Sequence, residues 1–152
     1  MWTLSLARVV LGILALRGFR WAYVGFLLLG LLYFPIKSGF RFDIPPCELS
    51  FGLPLAVHSL RNYPHIILFT IGFVLTAAQF RLSKWRDFVL AAALILTFGA
   101  LVELFQGSTR QGNCRLRDLI PDTVGALIGA LIVLGLYRMG WRPRPTWSLK
   151  LH

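Results

Sequence analysis

Acidic residues are scarce in this chain, which has 6 Asp and Glu against 16 Lys and Arg and a formal net charge of +10. In a soluble protein, such an excess of positive charge would suggest a nucleic-acid partner. No recognition motif of basic and aromatic residues accompanies the charge, so we expect no nucleic-acid partner. The basic residues lie between and after apolar runs, where anionic lipid headgroups and topology signals account for them better.

The chain also lacks the short motifs of familiar enzyme classes. It contains no G-x-S-x-G, no H-E-x-x-H and no glycine-rich phosphate loop. His58 and His65 are two helical turns apart, but Pro54 and Pro64 argue against one continuous helix that carries both. We therefore expect neither a metal nor a haem site, and no cofactor.

Apolar residues are what the chain has in abundance: 57% of it is hydrophobic, 14% is charged, and the mean hydropathy is +0.68. This exceeds what one soluble domain needs for its core and is typical of an integral membrane protein. Four apolar stretches approach the roughly 20 residues that cross a bilayer. They are residues 19–36, 65–80, 88–105 and 119–137. The sequence thus predicts an all-α, polytopic membrane helix bundle with four transmembrane helices.

The predicted membrane domain, residues 19–137, has a flanking segment on each side. Residues 1–18 predict an N-terminal apolar helix that is either amphipathic and interfacial or a fifth span. Residues 138–152 predict a basic cytoplasmic tail next to anionic lipid.

Prolines and glycines interrupt the helical pattern after the first predicted span. Pro35, Gly39, Pro45 and Pro46 predict a loop there. The apolar piece that follows, residues 50–60, is too short to cross and contains Pro54, so we expect a short interfacial or re-entrant segment.

Lys and Arg near the span ends predict that the C-terminus is cytoplasmic. With this orientation only six of the 16 basic residues lie outside, namely Lys37, Arg41, Arg61, Arg110, Arg115 and Arg117, while five of the six acidic residues share that outer side. Cys47 and Cys114, the only cysteines, both fall in outer loops. An oxidising exterior permits a disulfide between them, and two unpaired thiols are the alternative.

A glutamate within a membrane-length apolar run costs roughly 2.5 to 3.5 kcal/mol and by default marks a functional or partner-binding site. Glu103 is such a residue, and Gln106, three residues later, shares its helix face. We expect this pair to contact a ligand near the outer end of the third span.

The outer loop and the start of the fourth span add further polar candidates. Asp118 and Asp122 are four residues apart on one helix face, where the helix N-terminus favours negative charge, and an N-terminal cap is the simpler role for Asp118. Arg110, Arg115 and Arg117 can pair with these carboxylates or bind a phosphate. We therefore add these five residues to the candidate ligand-binding set.

Gly125 and Gly129 form a G-x-x-x-G pattern in the fourth span, which lets another helix approach closely. The pattern fits packing within the bundle, and a homodimer seam is the alternative.

The order of seven residues along the chain resembles the pattern of the VanZ-like family of small bacterial membrane proteins. The resemblance covers roughly residues 19 to 137 and depends on His65, Phe69, Glu103, Gln106, Asp118, Gly125 and Gly129. The chain departs from the family pattern at Arg61 and Asn62, where the family has an Asp-Lys pair, and at Asp122, where it usually has asparagine. The family's loop arginine also matches neither Arg110 nor Arg115 cleanly. The resemblance implies the bacterial cytoplasmic membrane and envelope biology, including glycopeptide resistance in the family's namesake, but no reaction.

Three functions remain open from the sequence. The first is binding of an anionic lipid or lipid-linked wall intermediate at the outer face. The second is a membrane enzyme acting on a lipid headgroup, with Glu103 or Asp118 as general base or nucleophile and His65 as acid. The third is an accessory or structural subunit of a membrane complex, with a protein partner or a second copy of the chain, in which the polar cluster only holds helices together.

Overall fold

A computed structural model describes residues 17–41, 46–48, 50, 52–79, 85–110 and 113–139, and this part of the chain is helical with no β-strand. The helices are α1 (Arg17–Ser38), α2 (Leu53–Ser59), α3 (Tyr63–Gln79), α4 (Trp85–Gly107) and α5 (Leu119–Arg138), with a 3₁₀ turn at Leu116–Asp118. The all-helical prediction is therefore confirmed. The predicted N-terminal helix falls almost entirely, and the basic tail largely, outside the described residues.

Three of these helices are long and apolar enough to cross a membrane. They cover Phe19–Ser38, Trp85–Gly107 and Leu116–Arg138, with mean hydropathies of 1.5, 2.4 and 2.1. Large apolar side chains remain exposed along them, as lipid contact requires: Leu29 and Leu131 are each 68% exposed. These helices indicate a membrane protein. Helix α3 is also apolar but has only 17 residues, so the fourth predicted span stays a prediction.

Helix α1 continues through Pro35 and ends at Ser38, beyond the point where the prolines predicted the helix to break. Pro35 lies in the last turn, and its missing N–H removes one intrahelical hydrogen bond without ending the helix. Gly39 ends the helix with a φ of 69°, a left-handed conformation, and its N–H donates to the Pro35 carbonyl at 2.9 Å.

Helix α2 is the short apolar segment predicted after the first loop. Pro54 does not interrupt it. The proline occupies the first turn, after the N-cap residue Gly52, where no intrahelical partner for its missing N–H is needed. A turn at 60–62 then separates α2 from α3, so His58 and His65 lie on different helices.

Helices α3 and α5 pack side by side because α5 presents small residues to α3. A Cβ on Gly125 would collide with the Ile66 carbonyl oxygen, and one on Gly129 would lie 2.8 Å from Cβ of Phe73. Thr70 Oγ1 also donates to the Gly125 carbonyl at 3.0 Å. The G-x-x-x-G surface is therefore covered by a helix of the same chain.

Helices α1 and α4 run opposite to α3. Gly99 of α4 lies against Phe69, and Ile95, one turn earlier, lies against Gly72. On α1, the Tyr23 hydroxyl lies 2.7 Å from Thr76 Oγ1, near the other end of α3. This alternation places the described residues of 39–62 and 107–118 at one end of the bundle, which we call the polar end.

Candidate functional site

A disulfide joins the two connections at the polar end. Cys47 and Cys114 are 67 residues apart in sequence, and their Cα atoms are 4.6 Å apart in the structure. The neighbouring backbone follows the same pairing: Glu48 N–H donates to the Cys114 carbonyl at 2.9 Å, and Leu116 N–H donates to the Glu48 carbonyl at 3.3 Å. The sequence left open a disulfide or two unpaired thiols, and the structure contains the disulfide.

A second set of contacts holds the beginning of the first connection against the end of α4. The guanidinium of Arg41 donates twice to the Gly107 carbonyl, from Nη2 at 2.7 Å and from Nε at 3.1 Å. The Arg41 backbone N–H donates to the Ser108 carbonyl at 3.0 Å. These bonds satisfy carbonyls at the C-terminus of α4 that have no helical partner.

Between these connections lies a pocket of ≈ 290 Å³, which we call the basic pocket. It is lined by His58, Ser59, Arg61, Asn62, Arg115, Arg117 and Asp118. Three arginines therefore face one aspartate. Ser59 is only 5% exposed, and its hydroxyl has no hydrogen-bond partner among the described residues. The pocket thus offers guanidinium groups and a free hydroxyl, which suit a phosphate or other oxyanion.

Glu48 places a carboxylate against two of these arginines. Its Oε1 atom lies 3.2 Å from Nη1 of Arg117, and its Oε2 atom lies 3.7 Å from Nε of Arg115. The Ser50 hydroxyl donates to Oε1 at 2.6 Å. This hydrogen bond, followed by the charges of Arg117 and Arg115, lowers the pKa of Glu48. Glu48 is therefore an anion of the protein itself, and an anionic ligand would have to displace it from Arg115 and Arg117.

A second, largely apolar cavity of ≈ 560 Å³ lies between α1, α3 and α4, and we call it the apolar cavity. Most of its lining is apolar, including Phe26, Leu29, Leu68, Phe98 and Val102. Its polar lining includes Asn62, His65 and Gln106, which lie toward the polar end. Asn62 also lines the basic pocket, so the two spaces adjoin at this residue.

His65 is held by a buried carboxylate. Its Nδ1 atom lies 2.8 Å from Oδ1 of Asp122, which is 1% exposed. The other carboxylate oxygen faces α4 at Gly99, where a Cβ would lie 2.8 Å from it. Because Gly99 has no side chain, it leaves room for the Asp122 carboxylate between the helices.

Glu103 is also buried, at 1% exposure, but its structural surroundings differ from those expected. Its Oε2 atom accepts a hydrogen bond from the Arg115 backbone N–H at 3.0 Å. Gln106 lines the apolar cavity, and no hydrogen bond joins it to Glu103 in the described part of the chain. The two residues that the sequence paired thus have separate surroundings.

The remaining predicted residues divide between the pocket and its surroundings. Arg115, Arg117 and Asp118 line the basic pocket. Asp118 occupies the N-cap position of α5 but makes no side-chain capping hydrogen bond. Arg110 is exposed and is not part of the pocket lining; its backbone N–H donates to the Gly39 carbonyl at 3.2 Å.

Sequence reasoning missed four residues of this region: Glu48, Ser59, Arg61 and Asn62. The topology assigns Arg61 and five of the six acidic residues to the outer side, but no local pattern indicates that Glu48 and Arg61 meet the loop between α4 and α5. The two cysteines were the usable signal, since a bridge between them necessarily brings Glu48 beside residue 115.

Within the described residues, no group of three or more His, Cys, Asp or Glu side chains could hold a metal ion. No protein-family model, curated protein or solved structure matches the chain.

Proposed function

We propose that the chain is a bacterial cell-envelope membrane protein that binds an anionic lipid or lipid-linked wall intermediate at its outer face. The lipid phosphate occupies the basic pocket and a hydrocarbon chain occupies the apolar cavity. One observation carries the proposal: Asn62 lines both spaces, so a basic pocket suited to phosphate lies directly beside an apolar cavity suited to a hydrocarbon chain.

The charge of the basic pocket supports a phosphate ligand. Arg61, Arg115 and Arg117 supply three positive charges, and Glu48 and Asp118 offset only part of them. Arginine binds phosphate through two parallel N–H groups, which favours it over a simple point charge. The Ser59 hydroxyl, which has no partner among the described residues, supplies one more hydrogen-bonding group.

The apolar cavity supports a hydrocarbon ligand. Its volume of ≈ 560 Å³ lies within the 300–1,000 Å³ range of typical ligand pockets. Its walls are side chains of helices that are long and apolar enough to span a membrane, together with α3. A lipid chain is therefore a suitable occupant.

We further propose that α3 is the fourth span and that the polar end faces outward. At 1.5 Å per residue, 17 residues reach about 26 Å, close to the roughly 30 Å hydrocarbon core, and α3 lies alongside α5. The disulfide fits an oxidising exterior. This orientation leaves the C-terminus cytoplasmic and agrees with membership of the VanZ-like family, which stays a prediction.

The test is binding of the purified protein to vesicles that contain either anionic or zwitterionic phospholipid. The wild type should prefer the anionic vesicles, and Arg61→Gln with Arg117→Gln should reduce that preference. Arg110→Gln is the control at the same end but outside the basic pocket, and it removes one positive charge where the combined variant removes two. If Arg110→Gln loses as much of the preference for anionic vesicles, general surface charge explains the effect, which contradicts the proposed site.

A further inference from the structure

The basic pocket contains a carboxylate that its arginines leave unpaired. Asp118 lines the pocket together with Arg61, Arg115 and Arg117. The ion pairs of Arg115 and Arg117 go to Glu48. Within the described residues, the Asp118 side chain forms neither a hydrogen bond nor an ion pair. A pocket that served phosphate alone would be weakened by this carboxylate, because like charges repel each other.

Capping of α5 does not use the Asp118 side chain either. An aspartate at the N-cap position usually accepts a hydrogen bond from the backbone N–H of the second or third helical residue. The third residue of α5 is Pro121, which has no N–H, and Asp118 forms no side-chain capping hydrogen bond. Its carboxylate oxygens therefore remain available to hydrogen-bond donors of a ligand.

Ser59 gives independent support for a polar ligand in this pocket. It belongs to the lining, it is only 5% exposed, and its hydroxyl has no hydrogen-bond partner among the described residues. Buried polar groups rarely lack a partner, because their lost hydration is then uncompensated. A ligand that supplies acceptor oxygens for Ser59 and the arginines, and a donor for Asp118, matches this lining.

The charge of the pocket selects the kind of phosphate. With histidine counted as neutral, three arginines against Glu48 and Asp118 leave one positive charge in and beside the pocket. A phosphodiester offsets it with one negative charge, whereas a phosphomonoester or a pyrophosphate brings more. An ammonium group on the ligand would add a positive charge that nothing at the pocket balances. The donor for Asp118 is therefore neutral, and hydroxyls are the neutral donors that lipid headgroups carry.

We propose that the basic pocket binds a single phosphodiester whose headgroup carries hydroxyls, with the phosphate on the arginines and one hydroxyl donating to Asp118. A phosphoglycerol lipid and a polyprenyl phosphosugar share this chemistry. The inference rests on the proposed function, because it assumes a phosphate in the basic pocket. Among the ligands that the proposed function leaves open, it excludes phosphomonoesters and pyrophosphate-linked intermediates.

The experiment compares two lipids that differ only in the hydroxyls of the headgroup, phosphatidylglycerol and phosphatidylpropanol, in competition for the detergent-solubilised protein by native mass spectrometry. One net hydrogen bond to Asp118 gives the wild type a roughly 3- to 10-fold preference for phosphatidylglycerol. Asp118→Ala should remove the preference and bind phosphatidylpropanol at least as strongly as the wild type does, since a negative charge is lost. A merely structural role of Asp118 would instead weaken the binding of both lipids equally.

Glu48→Gln is the matched control, because it also removes one carboxylate beside Arg115 and Arg117. It should strengthen the binding of both lipids alike and keep the preference. A second pair, a polyprenyl phosphosugar and the corresponding polyprenyl propyl phosphodiester, distinguishes the two sources of the headgroup. The source is the pair with the larger preference that depends on Asp118.

The remaining outcomes separate the inference from the proposed function. Equal binding within both pairs by the wild type overturns the inference and leaves the proposed function standing. A preference that persists in Asp118→Ala, or stronger binding of the phosphomonoester phosphatidic acid than of phosphatidylglycerol, also overturns it. If neither phosphatidylglycerol nor phosphatidylpropanol binds better than zwitterionic phosphatidylcholine, the proposed function itself fails.

Discussion

The side chain of Glu103 accepts a hydrogen bond from the backbone N–H of Arg115 at 3.0 Å. This bond connects the last turns of α4 to the loop that leads into α5, and so fixes where Arg115 enters the basic pocket. The buried glutamate thus acts on the site through the loop, since it is not part of the lining of either the basic pocket or the apolar cavity.

Glu103→Leu should therefore lower stability as well as lipid binding. It leaves the Arg115 N–H without its acceptor, and an unsatisfied buried donor costs about 1–3 kcal/mol. Glu103→Gln keeps a carbonyl oxygen for that N–H and should cost less. Unfolding of both variants in mild detergent measures the difference. A Leu variant as stable as the wild type would show that the bond does not hold the loop.

Gly125→Leu should destabilise the bundle, because even its Cβ would collide with the Ile66 carbonyl oxygen. Overpacking of this kind typically costs about 1–3 kcal/mol. Gly135→Leu is the matched control: it lies on the same helix, and a Cβ there meets nothing within 4 Å. Comparable melting temperatures for the two variants would contradict the packing of α3 on α5.

The disulfide predicts a specific pattern of thiol labelling. In intact cells, a membrane-impermeant maleimide should label neither Cys47 nor Cys114 until a reductant is added, and then both. Replacing both with serine should also lower stability by about 4 kcal/mol, as the chain-entropy model gives for a loop of this length. Labelling without reduction would exclude the bridge. No labelling after reduction and mild denaturation would place the polar end inside the cell.

Glu48→Gln should increase affinity for a phosphate-bearing lipid by a few-fold, since it removes the carboxylate that competes for Arg115 and Arg117. The pKa of Glu48 is lowered, so its ion pairs are fully formed above its unfolded-state pKa and are lost as the pH falls through the lower folded-state pKa. The competition in the wild type should weaken over that same range. Titration of lipid binding against pH, with Glu48→Gln as the reference that lacks this carboxylate, measures this effect. Unchanged affinity in the variant would show that Glu48 does not compete.

Much of the helical architecture could be predicted from apolar run length, because a membrane span needs a long uninterrupted run. The residues at which the helices begin and end were less predictable. The sequence predicts that Pro35 and Pro54 interrupt helices. Pro54 instead lies in the first turn of α2, where proline is tolerated, and α1 continues through Pro35 into its last turn.

The site was harder to predict because its contacts join distant parts of the chain. Helical spacing placed Glu103 beside Gln106 correctly on one helix, but it could not show that their side chains have different neighbours. Nor could spacing pair His65 with Asp122, which are 57 residues apart and meet only because α3 packs along α5.

The decisive measurement for lipid binding in the basic pocket is the mass of the lipid that the purified protein retains, determined by native mass spectrometry after gentle extraction from its membrane. We expect one phosphate-bearing lipid per chain on the wild type and on Arg110→Gln, and its loss from the combined Arg61→Gln and Arg117→Gln variant. A wild type that retains no such lipid, or a combined variant that retains it as well as the control does, would rule out this binding site.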